Sequence, residues 1–230
     1  TPNLGGDSKL DQESFLLEPV SVDNLHNNRS TRNFWVITED GCWSASGVSA
    51  QQEAEKFTEK QDQSAITAGL MWQTVTRKSN FFGLTAEITS FVPNNFTTEV
   101  MDIRITNTEE KKKELTAVAA IPVYGRSADN LRDHRNVTSM LHRITTTTNG
   151  VTVFPTMSFD EKGHRENHTI YYCLGFEENG ERPVSFYPTV DAFLEEGGTF
   201  LHPLAVYQGR EGVQSGTELA GREAMGAFRF

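Results

Sequence analysis

The sequence predicts a mainly β chain folded as an antiparallel sandwich or barrel, and three features of its 230 residues carry that prediction. Apolar and polar residues alternate at period two along several runs, turn chemistry separates the runs, and helix signal is confined to short pieces. Hydrophobic residues make up 37% and charged residues 23%, which is enough apolar material for a core.

Residues 1–30 read as a polar, irregular N-terminal segment or linker, and 31–230 as the sandwich domain. "NFWVITEDGCWSAS" reads as a hairpin turning at Glu39-Asp40-Gly41. "SAQQEAEKFTEK" predicts a helix from Ser49 to Lys60 with Ser49 as its cap. Phe82, Leu84, Ala86 and Ile88 alternate with polar residues or glycine, and Met101, Ile103 and Ile105 do so after them. Leu115, Ala117, Ala119, Ile121 and Val123 share one face of a further strand. The connecting "NTEEKKKE" reads as a charged hairpin loop with a solvated lysine tip.

Asn149-Gly150 joins "SMLHRITTTT" to "VTVFPTM" as a hairpin turn, because both turn positions must tolerate positive φ. Pro155 then belongs on an edge strand or at a bulge. "VDAFLEEGG" predicts a short helix ended by Gly197-Gly198. The final "GREAMGAFRF" stops within a strand-like run, so the domain is expected to be truncated there.

The formal net charge is −10, and no basic stripe interrupts it, which argues against a nucleic-acid partner. No apolar run reaches a membrane span, and the first residues do not form a signal peptide, so a cytoplasmic location is expected and no membrane partner. Cys42 and Cys173 are too few and too far apart for a disulfide framework or a zinc pattern, and read as unpaired core cysteines.

The densest cluster of cations and imidazoles is "RDHRNVTSMLHR", Arg132 to Arg143. Strand phasing from Thr138 to Thr148 puts Met140, His142 and Ile144 on one face. His142 thus reads as a hydrogen-bonded histidine lining a sheet, or as a contact to substrate. Arg132, His134 and Arg135 precede it in a loop, where convergent donors suit sugar hydroxyls or phosphate and a surface ion-pair network is the plainer alternative. His164 and His168 have a zinc-like spacing without a helix or a third ligand, so no metal is expected. Trp35, Trp43 and Trp72 suit either sugar stacking or a core. No phosphate loop, serine elbow or paired catalytic carboxylates stand out.

"FFGLTAEITSFVPNNFTTEVMDIRITNTEEKKKELTAVAAIPV" resembles the N-terminal β-sandwich of the glycoside phosphorylases of glycoside hydrolase family 94, formerly glycosyltransferase family 36. The residues that carry the likeness are Phe91-Val92-Pro93, Glu99-Val100, Ile103, Ile105 and Asn107. Trp43-Ser44 resembles the end of the family's early hairpin, and "AFLEEGGTFLHPLAV" its later glycine-rich segment, with Glu195-Glu196 as a departure. "YGRSADNLRDHRNVTSMLHR" looks most like the oligosaccharide-acting branch, such as 1,2-β-oligoglucan phosphorylases.

The resemblance implies an antiparallel β-supersandwich like that of galactose mutarotases, to which the two segments with helix signal add one or two short helices. It implies phosphorolysis with inversion, using inorganic phosphate as co-substrate and no cofactor. It places the general-acid Asp and the phosphate site in a following (α/α)6 barrel, so no catalytic residue is expected in this chain. The expected partners are that downstream domain, an oligosaccharide and a second copy in a homodimer. Arg132, His134, Arg135 and His142 are then the substrate-binding candidates at the rim. The alternatives on the same fold are an aldose epimerase with His142 as its acid, or a stand-alone carbohydrate-binding module.

Overall fold

The computed structural model describes residues 3–20, 32–128, 135–160 and 163–230. The strands begin with the hairpin β1 (Asn33–Thr38) and β2 (Gly41–Ser44). After helix α1 (Ala50–Ala54) come β3 (Gln63–Gly69), β4 (Trp72–Ser79), β5 (Leu84–Phe91), β6 (Val100–Asn107) and β7 (Thr116–Val123). Helix α2 (Arg135–Ser139) leads into β8 (His142–Thr147), β9 (Gly150–Pro155), β10 (Met157–Asp160), β11 (Gly163–Glu166) and β12 (Tyr171–Leu174). Then follow β13 (Ser185–Thr189), α3 (Val190–Leu194), α4 (Leu204–Tyr207), β14 (Glu218–Ala220) and β15 (Ala224–Arg229).

A five-stranded antiparallel sheet, β13-β15-β7-β1-β2, lies between two cores. On one face Phe34, Val36, Ala119, Val123 and Phe228 meet residues of two four-stranded sheets, β3-β4-β5-β6 and β12-β9-β8-β14. Those sheets contribute Val75, Leu84, Ala86 and Ile88, and Ile144, Val151 and Val153. On the opposite face Trp35, Val118, Ala120, Met225 and Ala227 meet Phe193 of α3 and Ala205 and Val206 of α4. Successive strand side chains point to opposite faces, so β1, β7 and β15 are apolar at nearly every position. The sequence expectation of one buried face holds for β5, where Leu84, Ala86 and Ile88 are buried, and fails for β7, where Val118 and Ala120 are buried as well. Leu115 lies ahead of β7 and is exposed.

The charged segment between β6 and β7 is not a hairpin loop. β6 pairs with β5 in one sheet and β7 with β1 and β15 in another, so the segment crosses between layers. Nor is its lysine cluster wholly solvated. The Lys113 side chain is 7% exposed, donates from Nζ to the Phe82 carbonyl at 2.7 Å, and faces Glu109 at 3.2 Å and Asp40 at 3.7 Å. Lys111 pairs with Glu39. Lys113→Ala leaves a buried carbonyl without its donor and is expected to lower unfolding free energy by about 1–2 kcal/mol, read by urea titration. Lys112→Ala is the control.

Among the described residues there are four short helices where one or two were expected, and they differ in how they are held. The predicted Ser49–Lys60 helix stops at Ala54. Ser49 Oγ does cap it, accepting from Gln52 N at 3.1 Å, but the helix buries no residue, and Phe57 beyond it is exposed at φ +64°. Helix propensity without an apolar face to dock does not sustain further turns. Helix α3 is capped by Thr189, buries Phe193 and ends at Leu194 with Glu195 as its C-cap, before the predicted glycine pair.

The β8–β9 hairpin forms, one residue out of the expected phase. Thr147 pairs with Gly150, so Thr148 and Asn149 make the turn, and neither has positive φ. Gly150 is instead required by β12, since a Cβ there would sit 2.0 Å from the Cys173 carbonyl oxygen. Pro155 ends β9 opposite His142, beyond the last β12 pairing at Val153, so its missing N–H interrupts no ladder.

Over residues 3–20 there is no strand or helix, yet Leu4, Phe15 and Leu17 are buried. Phe15 exchanges backbone hydrogen bonds with the segment after β7, and Arg32 donates to the Leu4 carbonyl while pairing with Glu99. Cys42 and Cys173 are free and lie in different cores, and burial pushes their thiols up to about 11 and about 12. Among the described residues, no helix is long and apolar enough to cross a membrane.

Candidate functional site

One end of the sandwich gathers the buried polar groups that the candidate cluster led to. The C-terminal end of β7, the starts of β8, β12 and β15, and the end of β9 converge there. Leaving β7, the chain turns at Gly125, whose φ is +63° and whose Cβ, if present, would lie 3.3 Å from His142 Nε2. Glycine thus meets both a left-handed backbone and the close approach of the imidazole.

Arg126 follows, with its side chain 3% exposed. Its Nε donates to the Tyr124 carbonyl at 2.8 Å, its Nη2 reaches Glu223 at 2.9 Å, and its guanidinium lies over the Tyr124 ring. Glu223 comes from the β14–β15 connection, so the pair ties two loops to the sandwich. Tyr171 opens β12, and burial pushes its hydroxyl up to about 12, against a hydrogen bond with Ser14.

His142 is fully buried. Neither ring nitrogen has a well-formed hydrogen bond among the described residues, although backbone groups of Arg222 and Gly125 lie near enough to favour the charged form slightly. Burial, and then the charge of Arg126, hold the imidazole down to about 4, so at neutral pH it is uncharged. Its face partner is Ile144 as expected, but Met140 is exposed, because Thr138 and Ser139 belong to α2 and the strand starts at His142.

Arg132 and His134 lie outside the described residues, and Arg135 opens α2. Of the three tryptophans, Trp35 and Trp43 are core residues and Trp72 is 42% exposed. His164 lies on β11 and His168 beyond it, and among the described residues no three His, Cys, Asp or Glu side chains form a metal-binding group. Sequence reasoning missed Arg126, Glu223 and Tyr171, which sit far apart in the chain and are joined only by the topology.

The residues that carried the family resemblance also have places. Trp43 Nε1 donates to Asp62 at 2.9 Å, and Ser44 Oγ donates to Asn33 at 2.7 Å. Asn107 ends β6 and donates to the Lys111 carbonyl at 2.7 Å, fixing the start of the layer crossing. Glu99 holds Arg32. Ile103 and Ile105 line the first core. Every one of these contacts serves the fold.

A family model described as "Glycosyl hydrolase 94, supersandwich domain" matches residues 19–230. The chain belongs to that family. Curated proteins give no match to it. As a family 94 supersandwich domain it has the architecture its motifs implied, a mainly β chain of stacked antiparallel sheets. Supersandwich membership also explains why the motifs map to packing and turns: they define the scaffold of a domain in a larger glycoside-active enzyme.

Proposed function

We propose that this supersandwich domain is the non-catalytic N-terminal part of an inverting glycoside phosphorylase, which converts an oligosaccharide and inorganic phosphate to a sugar 1-phosphate in the cytoplasm. The observation that supports this most is the family match over 19–230, together with motif residues such as Trp43, Ser44, Glu99, Ile103, Ile105 and Asn107 that work in packing and turns. In this reading the domain packs on a downstream (α/α)6 catalytic domain, contributes to a homodimer and lends a rim to the active site. Arg132, His134 and Arg135 contact sugar or phosphate at that rim. His142 has no exposed surface, and with Arg126 and Glu223 it belongs to the buried polar group at the end of β7 and the start of β8.

The test is steady-state phosphorolysis by the enzyme that carries this domain. Replacing Arg132, His134 and Arg135 together with alanine is expected to raise KM for oligosaccharide or phosphate by about tenfold, with kcat within about twofold. The melting temperature should stay unchanged. Unaltered KM values would remove the rim role.

A further inference from the structure

Strand β3 is an edge strand that lacks the usual protection. Among the described residues it pairs only with β4, and all seven of its residues, Gln63 to Gly69, are exposed. It contains no charge, no proline and no bulge, and its register with β4 runs unbroken from Gln63↔Lys78 to Gly69↔Trp72. Proteins ordinarily blunt such edges, because unpaired N–H and C=O groups template another strand. At the opposite edge of this sheet, β6 carries Asp102 and Arg104.

We propose that β3 is a pairing edge for a second copy of this chain, added antiparallel across a two-fold axis at Ile66. Gly69 and Trp72 close a two-residue hairpin around Leu70 and Met71, so their pair is a hydrogen-bonded one. Alternation then turns the N–H and C=O groups of Ser64, Ile66 and Ala68 away from β4. These three are centred on the strand. A two-fold at Ile66 sets Ile66 against its own copy and Ser64 against Ala68, giving about six backbone hydrogen bonds.

Three observations select a second copy as the occupant. With a net charge of −10, two copies repel over most of their surface, whereas β3 presents no charge to itself. Asp62, just ahead of the strand, is turned inward onto Trp43 Nε1 and Gln52 Nε2. Apolar groups also stand at both ends of the edge: Leu70 is 91% exposed at the hairpin tip, and Phe57 is 96% exposed in the segment that leads into β3. Antiparallel self-pairing brings each tip to the other copy's leading segment. A strand pair alone buries less than the roughly 1,200 Å² of a stable interface, and these ends supply the remainder.

The inference deepens the homodimer reading by naming its surface. It is tested on this chain by sedimentation equilibrium and by oxidative cross-linking. Wild type is expected to dimerise in the micromolar range, and Ile66→Lys, which opposes two ammonium groups, to weaken dimerisation at least about a hundredfold with an unchanged melting curve. Ile66→Cys should cross-link to its own copy, since directly opposed hydrogen-bonded residues have Cα atoms about 5.5 Å apart, within disulfide reach. Thr106→Cys, on β6, should not, and the native cysteines are buried. Should Ile66→Lys misfold, the Ile66→Cys variant still decides. A monomeric wild type overturns the inference together with the homodimer reading. A dimer that neither variant affects overturns edge pairing alone.

Discussion

Trp35→Ala is expected to lower the unfolding free energy of the chain by about 3–5 kcal/mol, enough to consume much of a typical domain's stability. Trp35 is fully buried on the helix side of the five-stranded sheet, against Met225 and Ala227 of β15, Phe193 of α3 and the edge of the Tyr207 ring. Truncation leaves a cavity that short helices pinned at both ends cannot close. Trp35→Phe should be far milder, because the indole N–H is buried without a partner among the described residues, and removing it forfeits no hydrogen bond. Combining Trp35→Ala with Val153→Ala, across the sheet in the other core, should give nearly additive losses by guanidinium unfolding. A small effect of Trp35→Ala would mean that α3 and α4 do not cover a second core.

The second large effect is on the pH dependence of stability. In the unfolded chain His142 titrates at its ordinary 6.5, and in the folded chain burial holds it near 4. Above 6.5 both states are uncharged and the group contributes no pH dependence. Between 6.5 and 4 the unfolded chain binds the proton and the folded one does not, so stability falls as pH falls. Below 4 both are charged and the loss levels off. The full loss is about 3 kcal/mol. His142→Leu should remove that portion of the slope, leaving the variant more stable than wild type at pH 4.5 relative to their difference at pH 8. Because the imidazole lacks good hydrogen bonds, the substitution itself should be mild at high pH. Parallel denaturation curves at several pH values give both numbers. Equal slopes in the two proteins would contradict the buried, neutral imidazole.

How far the sequence exposed this arrangement depended on what each residue's neighbours in the chain could report. Leu84, Ala86 and Ile88 announced a half-buried strand because one face of β5 meets water. Val118 and Ala120 did not announce the second core, because a strand buried on both faces loses its alternation. Alternation also reports which face is covered and not which sheet the strand joins, so the β6–β7 crossing looked like a hairpin. Ser49 was correctly placed as a cap, but propensity alone overran the end of α1 by six residues. Leu4, Phe15 and Leu17 are isolated apolar residues in polar surroundings, and only long-range packing gives them meaning. At the site, strand phasing set His142 on the inner face with Ile144. Its companions Arg126, Glu223 and Tyr171 come from separate strands and loops, and no local pattern links them. The rim residues Arg132 and His134 remain a reading of sequence and family.

In the proposed function this domain supports phosphorolysis without performing it. The chain alone should be incubated with β-linked gluco-oligosaccharides and inorganic phosphate, with sugar 1-phosphate followed by phosphorus NMR, and anomer interconversion of free glucose followed by polarimetry alongside. The enzyme carrying the domain is the positive control. The predicted result is sugar 1-phosphate from the whole enzyme, none from the chain, and no acceleration of anomer interconversion. Turnover of either substrate by the chain alone would contradict the account.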